Sequence, residues 1–435
     1  MPDSRKRFAD AAFLVALMLY ILVGTIQVPV HGDEFMQMSM ARDVFSIVHG
    51  DWRQILYAPP VQPDTDAYLR LINGTLNTDM IGVTWLLAGR RVDSLPRIFV
   101  WDMPIDWNLA RGNVPTDDAL HLARWASAIC TALGVIPMFL LGWQIRLRSL
   151  AYPAALIYAL HPVILLNGRR AMMEGSLMLM SLATMYWLVT LIVAEHSANA
   201  SGYMHRLPLA VRYGVLGLLA GLTLAAKFTG IVVVAAALGG ALAAFLARDL
   251  SWRPFAWVGF AGLVAALTAL ALSPAYWSDP VGALRANLGA RAELLTRQTS
   301  SDPLAYHSPG DRGKALLTEP FLTAPQYYEA PTWAGQINDQ IAAYQASAVD
   351  GFDWGPIVGT LLTLLALVGL VTVIYDSLHR NLIAWAILIW TGLTILSSLA
   401  IPLAWQRYYL PLLLVAIVLA AAGMGRLIVR RADVR

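Results

Sequence analysis

Apolar runs of about 17–25 residues, the length a helix needs to cross the hydrocarbon core of a bilayer, recur along most of this sequence. No other feature constrains the fold as tightly. We place ten spans by hydropathy, near 10–28, 118–141, 149–166, 171–193, 209–226, 229–247, 255–273, 355–375, 381–401 and 407–429. Only 14% of the 435 residues are charged, against roughly 25% in ordinary soluble proteins. The expectation is an all-α polytopic membrane protein, with 1–435 forming one transmembrane domain. The start, MPDSRKRFADAAFLVALMLYILVGTIQ, is basic and then apolar, as a secretory signal is. Its apolar part is longer than a signal's and shows no small-residue cleavage site, so it reads as a retained anchor and first span.

Arginine and lysine in short loops set the orientation. Arg5, Lys6 and Arg7; Arg146 and Arg148; Arg206 and Arg212; Arg248 and Arg253; Arg380; and Arg430 and Arg431 alternate consistently to one side. Both termini are then expected in the cytoplasm, and two long segments, 29–117 and 274–354, outside it. Segments this long are usually functional or carry structure of their own. In the first, ARDVFSIVHGDWRQIL and DMIGVTWLLAGRR read as helices lying in the interface. Val83–Ala88 within it is too short to span and reads as a re-entrant or interfacial piece. In the second, DPVGALRANLGARAELL spaces Leu284, Leu288 and Leu295 as an amphipathic surface helix does. The net charge of +3 is spread by topology and forms no nucleic-acid patch. The single cysteine, Cys130, rules out an intrachain disulfide and reads as a small core residue.

Ionisable residues at span ends are functional candidates by default, and five groups fall on the outer side. Asp33 and Glu34 follow the first span. His161, Arg169, Arg170 and Glu174 lie in the turn HPVILLNGRRAMMEGS. Lys227 lies in AAKFTG, Tyr276 and Trp277 in SPAYWSDP, and Arg407, Tyr408 and Tyr409 in AWQRYYLP. Lys227 stands out because the chain has only three lysines, with Lys6 and Lys314. It could snorkel to headgroups or contact a phosphate. Arg169 and Arg170 could meet headgroups. Glu174, four residues after Arg170, would share its helix face and pair with it, either to orient Arg170 toward a ligand or as a structural clasp. The aromatics suit an interfacial belt, and His161 before Pro162 suits packing. Two carboxylates and several cations at one surface fit a lipid with a phosphate head. A phosphate leaving group needs positive charge, and an incoming hydroxyl needs a base, a role for Asp33 or Glu34.

These stretches resemble the GT-C glycosyltransferases that use phospholipid carriers, of the protein O-mannosyltransferase and aminoarabinose-transferase type. HGDEFMQMSMARDVF is similar to that family's acidic first-loop motif. HPVILLNGRRAMMEGSLMLMSLATMYWL is similar to its turn between the third and fourth spans. GLTLAAKFTGIVVVAAAL matches its G-x-x-x-x-x-K-[FY]-[TS]-[GA] segment, and LAWQRYYLPLLLVAIVLAAAG its late R-Y-Y-L-P span. The resemblance implies the GT-C fold, with juxtamembrane helices in the two long loops. It implies an inverting glycosyltransferase that moves a sugar from a polyprenyl-phosphate carrier to an acceptor hydroxyl outside the cell membrane. Asp33 would be the catalytic base, with Glu34 holding the base or the acceptor. Lys227, Arg407, Arg170 and Tyr408 would face the donor phosphate, with Arg169, Glu174 and His161 in support. The chain departs from the family at Ala58-Pro59-Pro60, where VQPDTDAY follows, and shows no MIR-like insertion.

The competing classes are a lipid or sugar flippase, a lipid-linked glycan ligase or polymerase, and a non-catalytic scaffold. A flippase calls for inverted repeats and charges at mid-bilayer, and neither is evident. A ligase differs in donor, taking diphosphate-linked oligosaccharides. No His/Cys spacing suggests zinc, and no cofactor is implied beyond a divalent cation that Asp33 and Glu34 could bind through oxygen. The expected partners are a polyprenyl-phosphate sugar and a lipid, glycan or protein acceptor. Asn73-Gly74-Thr75 forms an outward-facing glycosylation sequon to which we give little weight.

Overall fold

A computed structural model describes residues 4–63, 65–145, 148–196, 203–247, 251–301 and 304–432. Arg146 and Arg248, used above for orientation, lie outside the described residues. Among the described residues all regular secondary structure is helical, apart from one isolated bridge between Ala305 and Leu403.

The chain opens with α1 (Ser4–Val23) and then runs four short helices: α2 (Gly32–Met40), α3 (Arg42–Val48), α4 (Asp66–Ile72) and α5 (Leu76–Leu87). After α6 (Ile105–Ala110) come the long α7 (Asp117–Ile145), then α8 (Ala151–Leu160), α9 (Pro162–Arg169) and α10 (Glu174–His196). The middle of the chain holds α11 (Tyr203–Arg206), α12 (Leu209–Ala226), α13 (Ile231–Leu246) and α14 (Arg253–Ala271). The second long segment folds into α15 (Pro280–Ser301), α16 (Pro309–Thr318) and α17 (Asn338–Gln345). Three helices close the bundle: α18 (Gly355–Leu378), α19 (Leu382–Ala400) and α20 (Leu410–Ala432). Among the described residues nine helices are long and apolar enough to cross a membrane, and α8 with α9 makes a tenth if that bent pair is one span. The protein is a multi-pass membrane protein.

One apolar core runs through α7, α8, α10, α13, α19 and α20. Lipid supplies little drive for helices to associate, so close backbone approach does. Gly369 on α18 shows it: a methyl group there would collide with the Leu419 carbonyl of α20, and one on Gly423 with the Leu365 carbonyl. A second core ties the two long segments together over the end of α7. Phe35, Trp85, Phe99 and Ala123 meet Trp333 and Ile337 there. The two segments thus form one cap on one end of the bundle, here termed the loop face.

The structure revises three expectations. The third span is not one straight helix: α8 and α9 meet at a 58° bend. Pro162 causes the break, because its ring removes a backbone donor and restricts the residue before it; His161 is extended there. Val83–Ala88 is no separate re-entrant piece, since Val83–Leu87 ends the surface helix α5. The sequon is not an exposed tripeptide. Thr75 is buried with its hydroxyl donating to the Leu272 carbonyl, and Gly74 packs on the Ala225 and Ala226 carbonyls.

Candidate functional site

The acidic pair begins as helix chemistry. His31 is the N-cap of α2, and its Nδ1 accepts from the Asp33 backbone N–H at 3.1 Å. Glu34 reaches back to accept from the His31 N–H at 3.0 Å. This is a capping box with histidine as the cap. Both carboxylates also sit where the helix macrodipole favours negative charge. Successive helical side chains point about 100° apart, so the pair separates. Glu34 turns inward, fully buried, onto Arg124 of α7 at 2.8 and 2.9 Å, and accepts from the Ala171 N–H at 2.8 Å. Asp33 turns the other way and ion-pairs with Arg407 Nη1.

Arg407 lies in the 3₁₀ turn Gln406–Tyr409 that leads into α20, only 9% exposed. Its Nε stands 3.2 Å from Glu329 Oε1, off-axis for a hydrogen bond. With His31 Nδ1 accepting, His31 Nε2 carries the proton and donates to Glu329 Oε2 at 2.7 Å. On the other side of Arg407 is Tyr408, whose ring faces two cations. Lys227 Nζ is 5.2 Å and Arg407 Cζ 5.8 Å from its centroid. Lys227 is where α12 stops, with extended backbone before the 3₁₀ turn Phe228–Gly230. Its ammonium donates to Glu174 Oε1 at 2.8 Å, and Glu174 Oε2 is buried without a hydrogen-bond partner. Asp33, Arg407, Tyr408, Lys227 and Glu174 therefore form one continuous chain of contacts drawn from four distant parts of the sequence.

Burial alone raises a carboxyl pKa; here nearby cations outweigh it. Arg407 holds Asp33 below its ordinary value of 3.8. Arg124 and Arg170 do the same for Glu34, and Arg407, together with the hydrogen bond from His31, holds Glu329 far down. Burial lowers Arg170 to about 10.

The turn between α9 and α10 departs from the sequence expectation. Arg170 and Glu174 do not share a helix face: the helix ends at Arg169, Arg170 is extended, and the next helix starts at Glu174. Glu174 pairs with Lys227 instead. Arg170 donates to the Pro29 and Tyr327 carbonyls at 3.1 and 2.7 Å. Arg169 meets no headgroup. It is fully buried, donating to the Tyr20, Ile21 and Val349 carbonyls and the Tyr344 hydroxyl. His161 caps α9 by accepting from the Val163 N–H and bonds the Pro320 carbonyl at 2.8 Å. It is a packed residue, away from Asp33 and Glu34. Among the described residues no three His, Cys, Asp or Glu side chains gather as ligands for a metal.

Sequence reasoning missed Glu329, Arg124 and the role of His31. Only the H-x-x-E spacing of His31 and Glu34 carried a signal, as a variant capping box. Two cavities lie away from these groups. The larger, about 360 Å³, is lined by Ile145, Asp376, His379 and Asn381 at the opposite end of the bundle. The loop-face cluster is closed by its own ion pairs.

The sequence matches no family model and no curated protein. Solved structures do resemble it. The archaeal oligosaccharyltransferase AglB of Archaeoglobus fulgidus, solved with an inhibitory peptide and a dolichol-phosphate, superposes with a TM-score of 0.55 at 13% identity. The match takes in 98% of this chain and 52% of AglB. ArnT from Cupriavidus metallidurans, bound to undecaprenyl phosphate, gives 0.53 at 14% identity, over 96% of this chain and 60% of ArnT. This chain thus spans about half the length of the first and three-fifths of the second, and the likeness is one of fold.

Proposed function

We propose that this chain, whose fold is that of the GT-C glycosyltransferases, transfers a sugar from a polyprenyl-phosphate carrier to an acceptor hydroxyl at the loop face of the membrane. The observation that carries this reading is the meeting of the Asp33 carboxylate with two cations, Arg407 and Lys227, around one Tyr408 ring. The loop face is the extracytoplasmic face of the cell membrane, with both termini in the cytoplasm; the arginine-rich short loops support this. The solved relatives bound to dolichol-phosphate and undecaprenyl phosphate support the carrier class.

The chemistry follows from the charges. Asp33 accepts the proton of the acceptor hydroxyl. The freed oxygen attacks the anomeric carbon opposite the phosphate, forming the new glycosidic bond as the bond to phosphate oxygen breaks, so the configuration inverts. Lys227 and Arg407 take the departing polyprenyl phosphate. Tyr408 spaces the two cations; Glu174 and Glu329 hold them in place. Glu34 serves through structure, fixing the start of α2 so that Asp33 is aimed. Arg169, Arg170 and His161 likewise fix the surrounding backbone. No step here calls for a divalent ion, and Asp33 and Glu34, the pair considered for one above, turn to different partners.

Arg407 couples donor to base. A donor phosphate that draws Arg407 off Asp33 removes the charge that lowers its pKa, so Asp33 becomes more basic once donor is bound. The pH dependence of kcat/KM reports the free enzyme and that of kcat the complex. The acid limb of kcat/KM is therefore expected below pH 3.8, and that of kcat at higher pH. Coincident limbs in steady-state rates would remove the coupling.

The test of function is purified protein incubated with labelled polyprenyl-phosphate monosaccharides and membrane extract, following which molecule gains label. Lys227→Gln is expected to reduce turnover on the order of a hundredfold. The oligosaccharyltransferase likeness keeps a lipid-linked glycan ligase as the second reading; transfer from a diphosphate-linked oligosaccharide alone would replace the first.

A further inference from the structure

Lys227 and Arg407 each carry a carboxylate partner. Arg291 of α15, beside the same ring cluster, makes no ion pair among the described residues. Its Nη2 donates to the Ile72 carbonyl at 2.6 Å, and its guanidinium stacks on Phe228, the residue after Lys227, at 5.0 Å. Tyr408, Tyr276 and Tyr68 stand around it. Its Nε is buried with no hydrogen-bond partner. A buried charged donor left unpaired costs several times a normal hydrogen bond, so this group is the cation of the cluster best placed to gain from an anion.

The helix that carries it supplies the second observation. One side of α15 packs inward through Ala283 and Asn287. The adjacent side exposes Val281 (60%), Leu284 (52%), Leu288 (61%) and Leu295 (40%) in a stripe. At 100° per residue, Arg291 falls on the seam between the two, three residues after Leu288 and four before Leu295. An apolar rail therefore runs alongside a cation that has no carboxylate partner among the described residues and stacks on the neighbour of Lys227.

We infer that α15 is the face along which the lipid carrier enters, its prenyl chain on the leucine stripe and its phosphate on Arg291 as a third cation beside Lys227 and Arg407. This rests on the function proposed above. The test uses the full chain in phosphatidylcholine nanodiscs, with a polyprenyl phosphate, the matching polyprenol and inorganic phosphate as probes. Arg291→Gln should weaken polyprenyl-phosphate binding about tenfold or more and leave polyprenol binding unchanged. Donor KM should rise with kcat held within about twofold, because a contact made before and during reaction acts on binding. Arg291→Met, which keeps the packed stem, is the companion variant should Gln fail to fold, and the same results are expected of it. Leu288→Asn should weaken both prenyl probes.

Unchanged affinity in the Arg291 variants, or equal losses for phosphate and polyprenol, overturns the assignment while leaving the proposed function standing. Wild-type protein that binds the phosphate no better than polyprenol overturns both. Displacement by inorganic phosphate as effective as by the lipid makes this a free-phosphate site and overturns the lipid entry.

Discussion

Asp33→Asn is expected to reduce sugar transfer by about 10²–10⁴-fold, the range a positioned general base contributes, while the protein still inserts and folds. The amide is nearly the size of the carboxylate, keeps the backbone cap on His31, and cannot accept the acceptor's proton. Its loss from Arg407 is cushioned, because Glu329 stays beside that guanidinium at 3.2 Å. Donor binding should therefore survive. The measurement is single-turnover transfer from a labelled polyprenyl-phosphate sugar, with donor affinity and thermal unfolding followed in parallel. Transfer at the wild-type rate would remove Asp33 from the chemistry. Loss of folding would instead place its value in the ion pair.

The second large effect is on stability. Arg124→Met should destabilise the loop face by about 3–5 kcal/mol, the usual cost of breaking a buried ion pair by removing one partner. Glu34 is fully buried and Arg124 only 2% exposed, so the stranded carboxylate has no water to turn to. The double variant Arg124→Met, Glu34→Met should recover much of that loss, since no charge is then left unpaired. The sign against pH follows from the lowered Glu34 pKa. The pair's contribution is fully present above the ordinary carboxyl value of 4.5 and is lost as pH falls through the lower folded value. Melting temperatures of the single and double variants in detergent at neutral pH would decide it. Equal melting of wild type and Arg124→Met would show that the pair contributes nothing.

Adjacent residues with the same chemistry thus have opposite fates. Asp33 and Glu34 are indistinguishable as sequence letters, and either could be the base. The α2 helix turns them about 100° apart, and what lies in each direction separates them. Arg124 and Ala171 close around Glu34, while Asp33 meets Arg407. The same limit explains Arg170. An i, i+4 pair with Glu174 is sound arithmetic only if the helix is continuous, and it breaks at Arg170. Glu329 carried no signal at all, because its partners His31 and Arg407 lie 298 and 78 positions away.

The amino-acid sequence by itself determined the membrane class, the spans and the loop face as the place where ionisable residues gather. Those follow from the local, additive preference of each residue for lipid or water. Tertiary structure alone decided which charges meet: that Lys227 takes Glu174, that Arg407 is shared by Asp33 and Glu329, and that Arg291 takes no acid among the described residues. Ion pairing depends on separations of a few ångströms between segments tens to hundreds of residues apart, and only the packed bundle fixes those.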